Sequence, residues 1–389
     1  MVKSATGRFE ALDSLRGICA LLVALFHLKS SGFIGQTGFI RNAWLFVDFF
    51  FVLSGFVIAA SYGERLRNGY SVGKFMLLRL GRVYPLHLFM LGVFAAFETV
   101  KLLLGPTGLS QKVPWQSPNS PGELVQSLAM VHIFGIEDHL VWNVPSWSIA
   151  AEAWTYLVMA VLLALTGARS RLIIPAIPVI GLVLLLALGA PYLDRTHSFA
   201  LVRCLAGFAL GMMAFDLHGR IAARRTGQGG TAAELAILAA VVAFVSLVDA
   251  ANPANLLAPL LFMVAVLVFA LEAGTVSRWL MRPFALLLGA LSYSIYMIHT
   301  FIEARAIDVA LVLAGKTGLP LASIQPDGDG GVVKTLGTPQ LPVMGDIMSV
   351  PVLVAIVIGS WFTYRFVETP CREYVRARVS ARQPSIGPA

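Results

Sequence analysis

An arginine and a histidine, Arg16 and His27, lie eleven positions apart in the first apolar stretch of the chain. Eleven residues of α-helix make about three full turns, so both side chains are predicted to lie on one face, about 16 Å apart along the axis. A guanidinium binds phosphate through paired hydrogen bonds, and an imidazole can take a proton from an alcohol. The pair therefore suggests an anionic donor near one end of the helix and a general base, His27, deeper within it.

Further ionisable residues lie in other apolar stretches, where a charge is costly and usually functional. Asp48, Glu152, His299 and Glu303 are predicted to share with His27 the middle and outer half of a membrane. A carboxylate beside a histidine fixes the tautomer of the ring, as in a catalytic triad, and Asp48 and Glu152 are the candidates for that role. The alternative is that these groups form separate pairs that only hold helices together.

Two arginines and two tyrosines complete the candidate site. Arg79 and Arg82 are predicted on the inner side, where they suit a phosphate-bearing donor. Tyr293 and Tyr296 precede His299 and could orient a donor or acceptor through their hydroxyl groups. Anchoring at the membrane interface explains the two tyrosines equally well.

The composition favours a membrane protein over a soluble one. Apolar residues make up 57% of the chain and charged residues 13%, with a mean hydropathy of +0.78, whereas soluble domains carry about 25% charge. The net charge of +8 lies mainly in short segments between apolar runs, which is typical of membrane topology rather than of nucleic-acid binding. The three cysteines have neither metal-binding nor disulfide spacing, so we expect no metal.

Ten apolar stretches approach the length of about 20 residues that a membrane-spanning helix needs. We place them at about 11–29, 44–61, 83–104, 146–166, 172–189, 199–216, 233–250, 255–272, 284–312 and 350–367. Residues 124–136 are apolar but short, and we interpret them as an interfacial or re-entrant helix. The predicted fold is thus an all-α polytopic membrane bundle of about ten transmembrane helices.

The distribution of basic residues orients this bundle. Nineteen of the 29 Lys and Arg residues lie on the side of the N-terminus, seven lie on the other side, and three lie inside spans. Since basic residues concentrate on the cytoplasmic side, both termini are predicted to be cytoplasmic. Residues 1–374 form the predicted membrane domain, with long outer loops at about 105–145 and 313–349, and residues 375–389 a basic, disordered tail.

Seven short motifs in order resemble the acyltransferase 3 family of membrane acyltransferases. They comprise Arg16 and His27; Ser54, Gly55 and Phe56; Arg79, Arg82, Tyr84 and Pro85 in the predicted loop RLGRVYPLH; Trp147, Ser148 and Glu152; Arg203, Gly207, Phe208 and Gly211; LSYSIYMIH, which ends at His299; and Glu368 with Pro370. The match runs from about residue 10 to 374. The resemblance implies a ten-helix bundle in a bacterial plasma (inner) membrane, a cytoplasmic acyl-CoA donor, and acceptors such as surface polysaccharides, lipid-linked sugars or small hydroxylated metabolites. Some family members carry an extracytoplasmic esterase-like domain, which this chain is expected to lack.

These observations lead to the hypothesis of a membrane O-acyltransferase that moves an acyl group, acetyl by family resemblance, from acyl-CoA to a saccharide hydroxyl. His27, Asp48 and Glu152 are the candidate catalytic residues; the candidate donor-binding residues are Arg16, Arg79, Arg82, Tyr293 and His299. Whether the acyl group passes through a covalent acyl-histidine is left open, as are the acceptor and the oligomeric state. One alternative is a proton-coupled transporter that uses the buried charges as a relay. Many transporters are built from internal repeats, and we find none in this sequence. The other alternative is a non-catalytic scaffold.

Overall fold

The computed structural model describes residues 9–105, 113–224, 229–326 and 331–381. The predicted outer loops are therefore described in part, and residues 382–389 of the predicted tail lie outside the described residues. Most of the described residues are helical, which confirms the all-α class.

Seventeen α-helices and one β-hairpin follow one another along the described chain. The helices are α1 Glu10–His27, α2 Phe33–Gln36, α3 Gly38–Arg41, α4 Phe46–Ile58, α5 Glu64–Arg67, α6 Val72–Leu104, α7 Pro121–Leu128, α8 Ser146–Thr166, α9 Ser170–Ile173, α10 Ala176–Ala187, α11 Ala200–Arg224, α12 Gly230–Leu247, α13 Ala258–Ala270, α14 Thr275–Leu280, α15 Pro283–Thr317, α16 Pro342–Thr363 and α17 Thr369–Ala381. The strands β1 Ala322–Pro326 and β2 Val332–Leu336 pair antiparallel in the second outer loop. Short 3₁₀ segments at Ala43–Leu45, Gly167–Arg169 and Pro253–Leu257, and π-helical turns at Ala59–Gly63 and Tyr364–Glu368, extend or join the helices.

Eight helical segments of the described residues are long and apolar enough to cross a membrane. They coincide with eight of the ten predicted spans, which confirms a polytopic helical bundle. The other two spans are also helical, but α1 carries Glu10, Asp13 and Arg16 within 18 residues, and α10 is only 12 residues long. Ten crossings therefore stay a prediction.

Glycines let the helices that carry the candidate residues approach each other closely. A Cβ atom on Gly17 of α1 or on Gly289 of α15 would overlap the backbone of the opposite helix. The same is true of Gly55 in α4 and Gly211 in α11. Small residues at such crossings bring helices into contact within a membrane, and here they fix α1 against α15 and α4 against α11.

The helix α6 begins eleven residues before the predicted span at 83–104. Its first turn is capped by Ser71, whose Oγ accepts a hydrogen bond from the backbone N–H of Lys74 at 3.3 Å. The sequence placed Arg79 and Arg82 in a loop, and this was wrong, because both lie within α6. The helical setting puts the two side chains three positions apart, on one face.

The first part of the predicted disordered tail is helical. Residues 375–381 continue α17, because Val379 is buried and Val375 packs against Gly81 of α6. The helix α17 therefore lies against the cytoplasmic end that the sequence predicts for α6.

Candidate functional site

A central cavity opens between α1, α4, α6, α8 and α15, and it has about 770 Å³ of empty space, open solvent included. Its polar lining consists of Arg16, Ser54, Arg79, Arg82, Ser148, Glu152, Tyr156, Ser292, Tyr293 and Tyr296. Four predicted donor-binding residues and one predicted catalytic residue are thus brought together. The lining does not include His27, Asp48 or His299.

The two arginines of α6 line this cavity together with Glu152, but neither is directly paired with a carboxylate. In the described part of the chain, neither Arg79 nor Arg82 makes a hydrogen bond or an ion pair within 4.0 Å, and the Nε of Arg79 is buried without a partner. Arg79 contacts only aromatic faces, with its Cζ 4.7 Å from the Tyr62 ring centre and 5.8 Å from that of Phe75. Guanidinium groups held in this way can bind an anion at little cost in competing interactions.

The third cavity arginine, Arg16, is tied to α15. Its Nε donates to Ser292 Oγ at 2.7 Å, and Nη2 donates to the Gly289 carbonyl at 3.0 Å. Asp13 lies 3.5 Å from Nη2, which agrees with the pairing of residues three apart on a helix. These contacts hold the side chain at the cavity wall.

Glu152 belongs to a compact hydrogen-bonded group in the same wall. Its Oε1 accepts hydrogen bonds from Ser54 Oγ and from Tyr156 OH, the latter at 2.5 Å, and the two hydroxyl groups lie 2.9 Å apart. These contacts do not involve His27, so the predicted role of Glu152 in orienting that ring does not match its surroundings. The group instead presents polar atoms from α4 and α8 to whatever occupies the cavity.

His27 is paired with His299 of α15 rather than with a carboxylate. His27 Nδ1 lies 3.0 Å from the Val23 carbonyl oxygen and 3.2 Å from His299 Nε2. His299 Nδ1 lies 3.1 Å from the Ile295 carbonyl oxygen. His299 is fully buried, while His27 at the end of α1 is half-buried.

This hydrogen-bond pattern assigns the tautomers of both rings. A carbonyl oxygen only accepts, so Nδ1 of His299 carries the proton and its Nε2 has a lone pair. The Nδ1–H of His27 is then shared between the Val23 carbonyl and His299 Nε2. The Nε2 of His27 is left as the unprotonated nitrogen that a general base requires.

Tyr296 connects the histidine pair to the central cavity. Its ring lies 5.9 Å from the His299 ring and 5.7 Å from the ring of Phe50, which also lines the cavity. Its hydroxyl is hydrogen-bonded to that of Ser148 at 2.7 Å. The cavity therefore extends toward the histidines and ends at a tyrosine beside them.

Asp48 lies away from His27 and forms a buried ion pair with Arg203 of α11. The pair is bidentate, with Nε–Oδ1 at 2.9 Å and Nη2–Oδ2 at 2.7 Å, and Asp48 and Arg203 are 0% and 1% exposed. The Arg203 guanidinium also lies 5.3 and 5.1 Å from the rings of Trp44 and Trp147. Both carboxylate oxygens are occupied, so the expectation that Asp48 orients His27 is corrected to a structural link between α4 and α11.

The five groups expected to converge thus separate into distinct clusters. Glu303 lies one turn beyond His299 and is 4% exposed, and its Oε1 has no hydrogen-bond partner among the described residues. Only His27 and His299 touch each other directly. Depth and helix face can be predicted from spacing, but the partner of each group depends on helix crossings.

A second polar cluster lies in the segment after α6, which the sequence predicts to be an outer loop. The donor atoms of Glu123, Glu137 and His139 lie within 4.8 Å of one another, an arrangement that the spacing did not predict. Hydrogen bonds to the carboxylates of Asp138 and Glu123 raise the pKa of His139 above its ordinary value. The carboxylate of Glu123 also accepts hydrogen bonds of 2.7 Å from Ser117 Oγ and from the Ser120 backbone N–H, which caps α7. Its oxygens are thus occupied within the chain, and the expectation of no metal stays a prediction.

Sequence reasoning missed two residues of the cavity wall, Tyr156 and Ser292. Tyr156 lies four residues after Glu152, a spacing that puts both on one helix face and could have identified it. Ser292 lies next to Tyr293, and only the packing of α1 on α15 makes it a partner of Arg16.

Comparison with known proteins agrees with the motif pattern. A family model described as an acyltransferase domain matches residues 9–365. The chain is 33% identical over 181 residues to a Rhizobium radiobacter protein described as "Protein 2 in picA locus", which covers 44% of this chain and 89% of that protein. No solved structure matches significantly.

Proposed function

Since the chain belongs to the acyltransferase 3 family, whose model spans residues 9–365, we propose that it transfers an acyl group from cytoplasmic acyl-CoA to a hydroxyl group of a saccharide or glycoconjugate. The unpaired guanidinium groups of Arg79 and Arg82 in the central cavity carry this proposal. The family is one of acyltransferases, which favours this function over the transporter and the scaffold.

Acyl-CoA fits the charge and shape of the central cavity. Its phosphates need cations, and Arg79 and Arg82 offer two guanidinium groups that make no direct ion pair with the described residues. Its pantetheine arm is long and carries amide groups, which the Ser54–Glu152–Tyr156 group and the hydroxyl of Tyr293 can flank. The thioester would then reach the end of the cavity at Tyr296, next to the histidine pair.

The reaction then needs one proton transfer in each direction. His27 Nε2 takes the proton of the acceptor hydroxyl as its oxygen attacks the thioester carbonyl carbon. The C–S bond breaks, and the CoA thiolate takes the proton back from His27. His299 Nε2 accepts the Nδ1–H of His27 throughout, which holds the ring and stabilises the imidazolium.

The direction of approach follows from the proposed topology. The positive-inside bias puts both termini and the cavity arginines at the cytoplasmic side of a bacterial plasma membrane. The helix α1 runs outward and ends at His27, which is half-buried. The donor thus enters from inside, and the acceptor reaches His27 from outside.

Replacing Arg79 or Arg82 by glutamine is expected to weaken acetyl-CoA binding about 10- to 100-fold each, because each substitution removes charged hydrogen bonds to phosphate. Neither side chain has a hydrogen-bond partner in the described chain, so folding should change little. Isothermal titration calorimetry of the purified full chain in detergent measures the effect. Arg278→Gln is the matched control, since Arg278 bonds only to Thr275 at 2.9 Å in the described chain. Unchanged affinity in both cavity variants would contradict the proposed donor site.

Deleting the gene is expected to remove an O-acyl ester from one class of surface glycan or glycolipid. Mass spectrometry of these fractions, with and without the protein, measures the loss and identifies the acceptor. Supplying the wild-type chain should restore the ester, and supplying His27→Ala should not. Identical ester profiles in both strains would show that the acceptor is not a surface saccharide.

A further inference from the structure

A group of aromatic and basic residues lies where the central cavity meets the predicted cytoplasmic side. Val57 and Ile58 of α4 line the cavity, and the chain continues directly into the π-helical turn Ala59–Gly63, which contains Tyr62. Such turns occur frequently at functional sites because they displace side chains from the regular helical positions. Tyr62 is therefore a candidate functional residue.

Tyr62 and Tyr70 both pack on the same arginine. The Cζ of Arg65 lies 5.0 Å from the centre of the Tyr62 ring and 4.1 Å from that of Tyr70, and the two ring centres are 5.9 Å apart. Arg79, which lines the cavity, lies 4.7 Å from the same Tyr62 ring. The Tyr62–Arg65–Tyr70 group thus adjoins the proposed phosphate-binding arginines without a break.

Arg65 differs from the neighbouring arginines because its side chain is not ion-paired. Arg67 and Arg171 both contact the carboxylate of Glu64, at 2.8 and 2.7 Å. Arg65 is exposed, and its side chain makes no hydrogen bond or ion pair with the described residues, while its backbone carbonyl accepts a hydrogen bond from the Tyr70 N–H at 2.8 Å. A guanidinium without a carboxylate partner, beside two aromatic rings, suits a ligand that combines an anionic group with a flat π system.

We propose that Tyr62, Arg65 and Tyr70 bind the 3′-phosphoadenosine end of the CoA donor. The adenine stacks on the tyrosine rings, and Arg65 binds the 3′-phosphate, while Arg79 and Arg82 face the diphosphate. The inference rests on the proposed function and extends it outward from the cavity. An anionic lipid headgroup would also attract Arg65, but it has no aromatic base to use the two rings.

Binding of three probes tests this subsite without an acceptor. The probes are CoA, 3′-dephospho-CoA and 4′-phosphopantetheine, titrated into the full chain in a detergent without phospholipid. Tyr70→Leu is expected to raise the Kd of CoA and of dephospho-CoA about 5- to 100-fold, the range for loss of base stacking, and to leave that of phosphopantetheine unchanged. Tyr62→Leu is expected to raise the Kd of CoA and of dephospho-CoA by the same range and that of phosphopantetheine less, because the Tyr62 ring also packs on Arg79. Arg65→Gln is expected to raise the Kd of CoA alone.

Two variants control for folding and for general charge effects. Tyr62→Phe keeps the ring and should bind CoA almost as the wild type does. Tyr374→Leu removes a matched stack, since Arg378 lies 5.0 Å from the Tyr374 ring on α17, and it should change nothing. A Tyr62→Leu protein that elutes as the wild type in size-exclusion chromatography is suitable for the comparison.

The outcomes separate the subsite from the proposed function. If the wild type binds CoA and Tyr62→Leu binds it equally well, the subsite is wrong and the donor assignment stands. If the variants weaken all three probes alike, the tyrosines are only interface anchors, and the inference is overturned. If the wild type binds none of the probes, the proposed donor fails, and the subsite fails with it.

Discussion

Replacing His27 by alanine is expected to lower acyl transfer by about 10²- to 10⁴-fold, the usual contribution of a general base. The protein should still assemble, because the His27 side chain bonds only to Val23 O and His299 in the described chain. The measurement is transfer of labelled acetyl from acetyl-CoA to endogenous acceptors in membranes that hold equal amounts of each protein. Binding of acetyl-CoA should be close to that of the wild type, since His27 is not among the residues that line the central cavity with Arg79 and Arg82.

The control for this experiment is a histidine outside the site. His197→Gln changes a half-buried imidazole between α10 and α11, where the contact to Gly135 comes from the backbone carbonyl and is kept. This variant should transfer acetyl groups at the wild-type rate. Wild-type transfer by a folded His27→Ala protein would remove His27 from the mechanism and leave His299 and Glu152 as the alternative bases.

Replacing Asp48 by asparagine is expected to destabilise the protein by about 3–5 kcal/mol, the cost of leaving one partner of a buried ion pair uncompensated. Arg203 would keep its charge at 1% exposure with no carboxylate on its Nε and Nη2, and Asp194 Oδ1, 3.9 Å from its Nη1, would compensate it only weakly. Reversible unfolding in mixed micelles, followed by tryptophan fluorescence, measures the change, because Trp44 and Trp147 flank the guanidinium.

Two further variants decide whether the charge causes this loss. Asp216→Asn changes an exposed carboxylate on α11 and should leave stability unchanged. The double variant Asp48→Leu, Arg203→Leu removes both charges and should be more stable than Asp48→Asn, since apolar pairs often replace buried ion pairs without loss. A single variant as stable as the wild type would mean that Arg203 finds another counter-charge.

The helices could be predicted because a bilayer demands long apolar runs, and nearly every such run in this sequence is a helix. The start of α6 could not, because a capped helix can extend beyond the membrane span through a segment that contains basic residues, as it does with Lys74, Arg79 and Arg82. The helix α17 was missed for a similar reason. Its contact with Gly81 is a tertiary interaction that composition does not contain.

The sequence could predict which residues belong to the candidate site, but not which of them contact each other. The shared face of Arg16 and His27 follows from helical periodicity, and both do contact α15. That His27 meets His299 rather than Asp48 depends on the crossing of α1 with α15, which the sequence does not specify. Asp48 and Arg203 are 155 positions apart, and no local pattern relates them.

The glycine contacts between α1 and α15 bear on how substrates can enter and leave. With backbone against backbone at Gly17 and Gly289, neither helix can slide or roll past the other without opening a void. Rocking of one half of a bundle against the other, as in many transporters, would separate the contact between α1 and α15. On the proposed function, the two substrates reach a stationary reaction centre by separate entrances, so that only the acyl group, and neither whole molecule, changes sides.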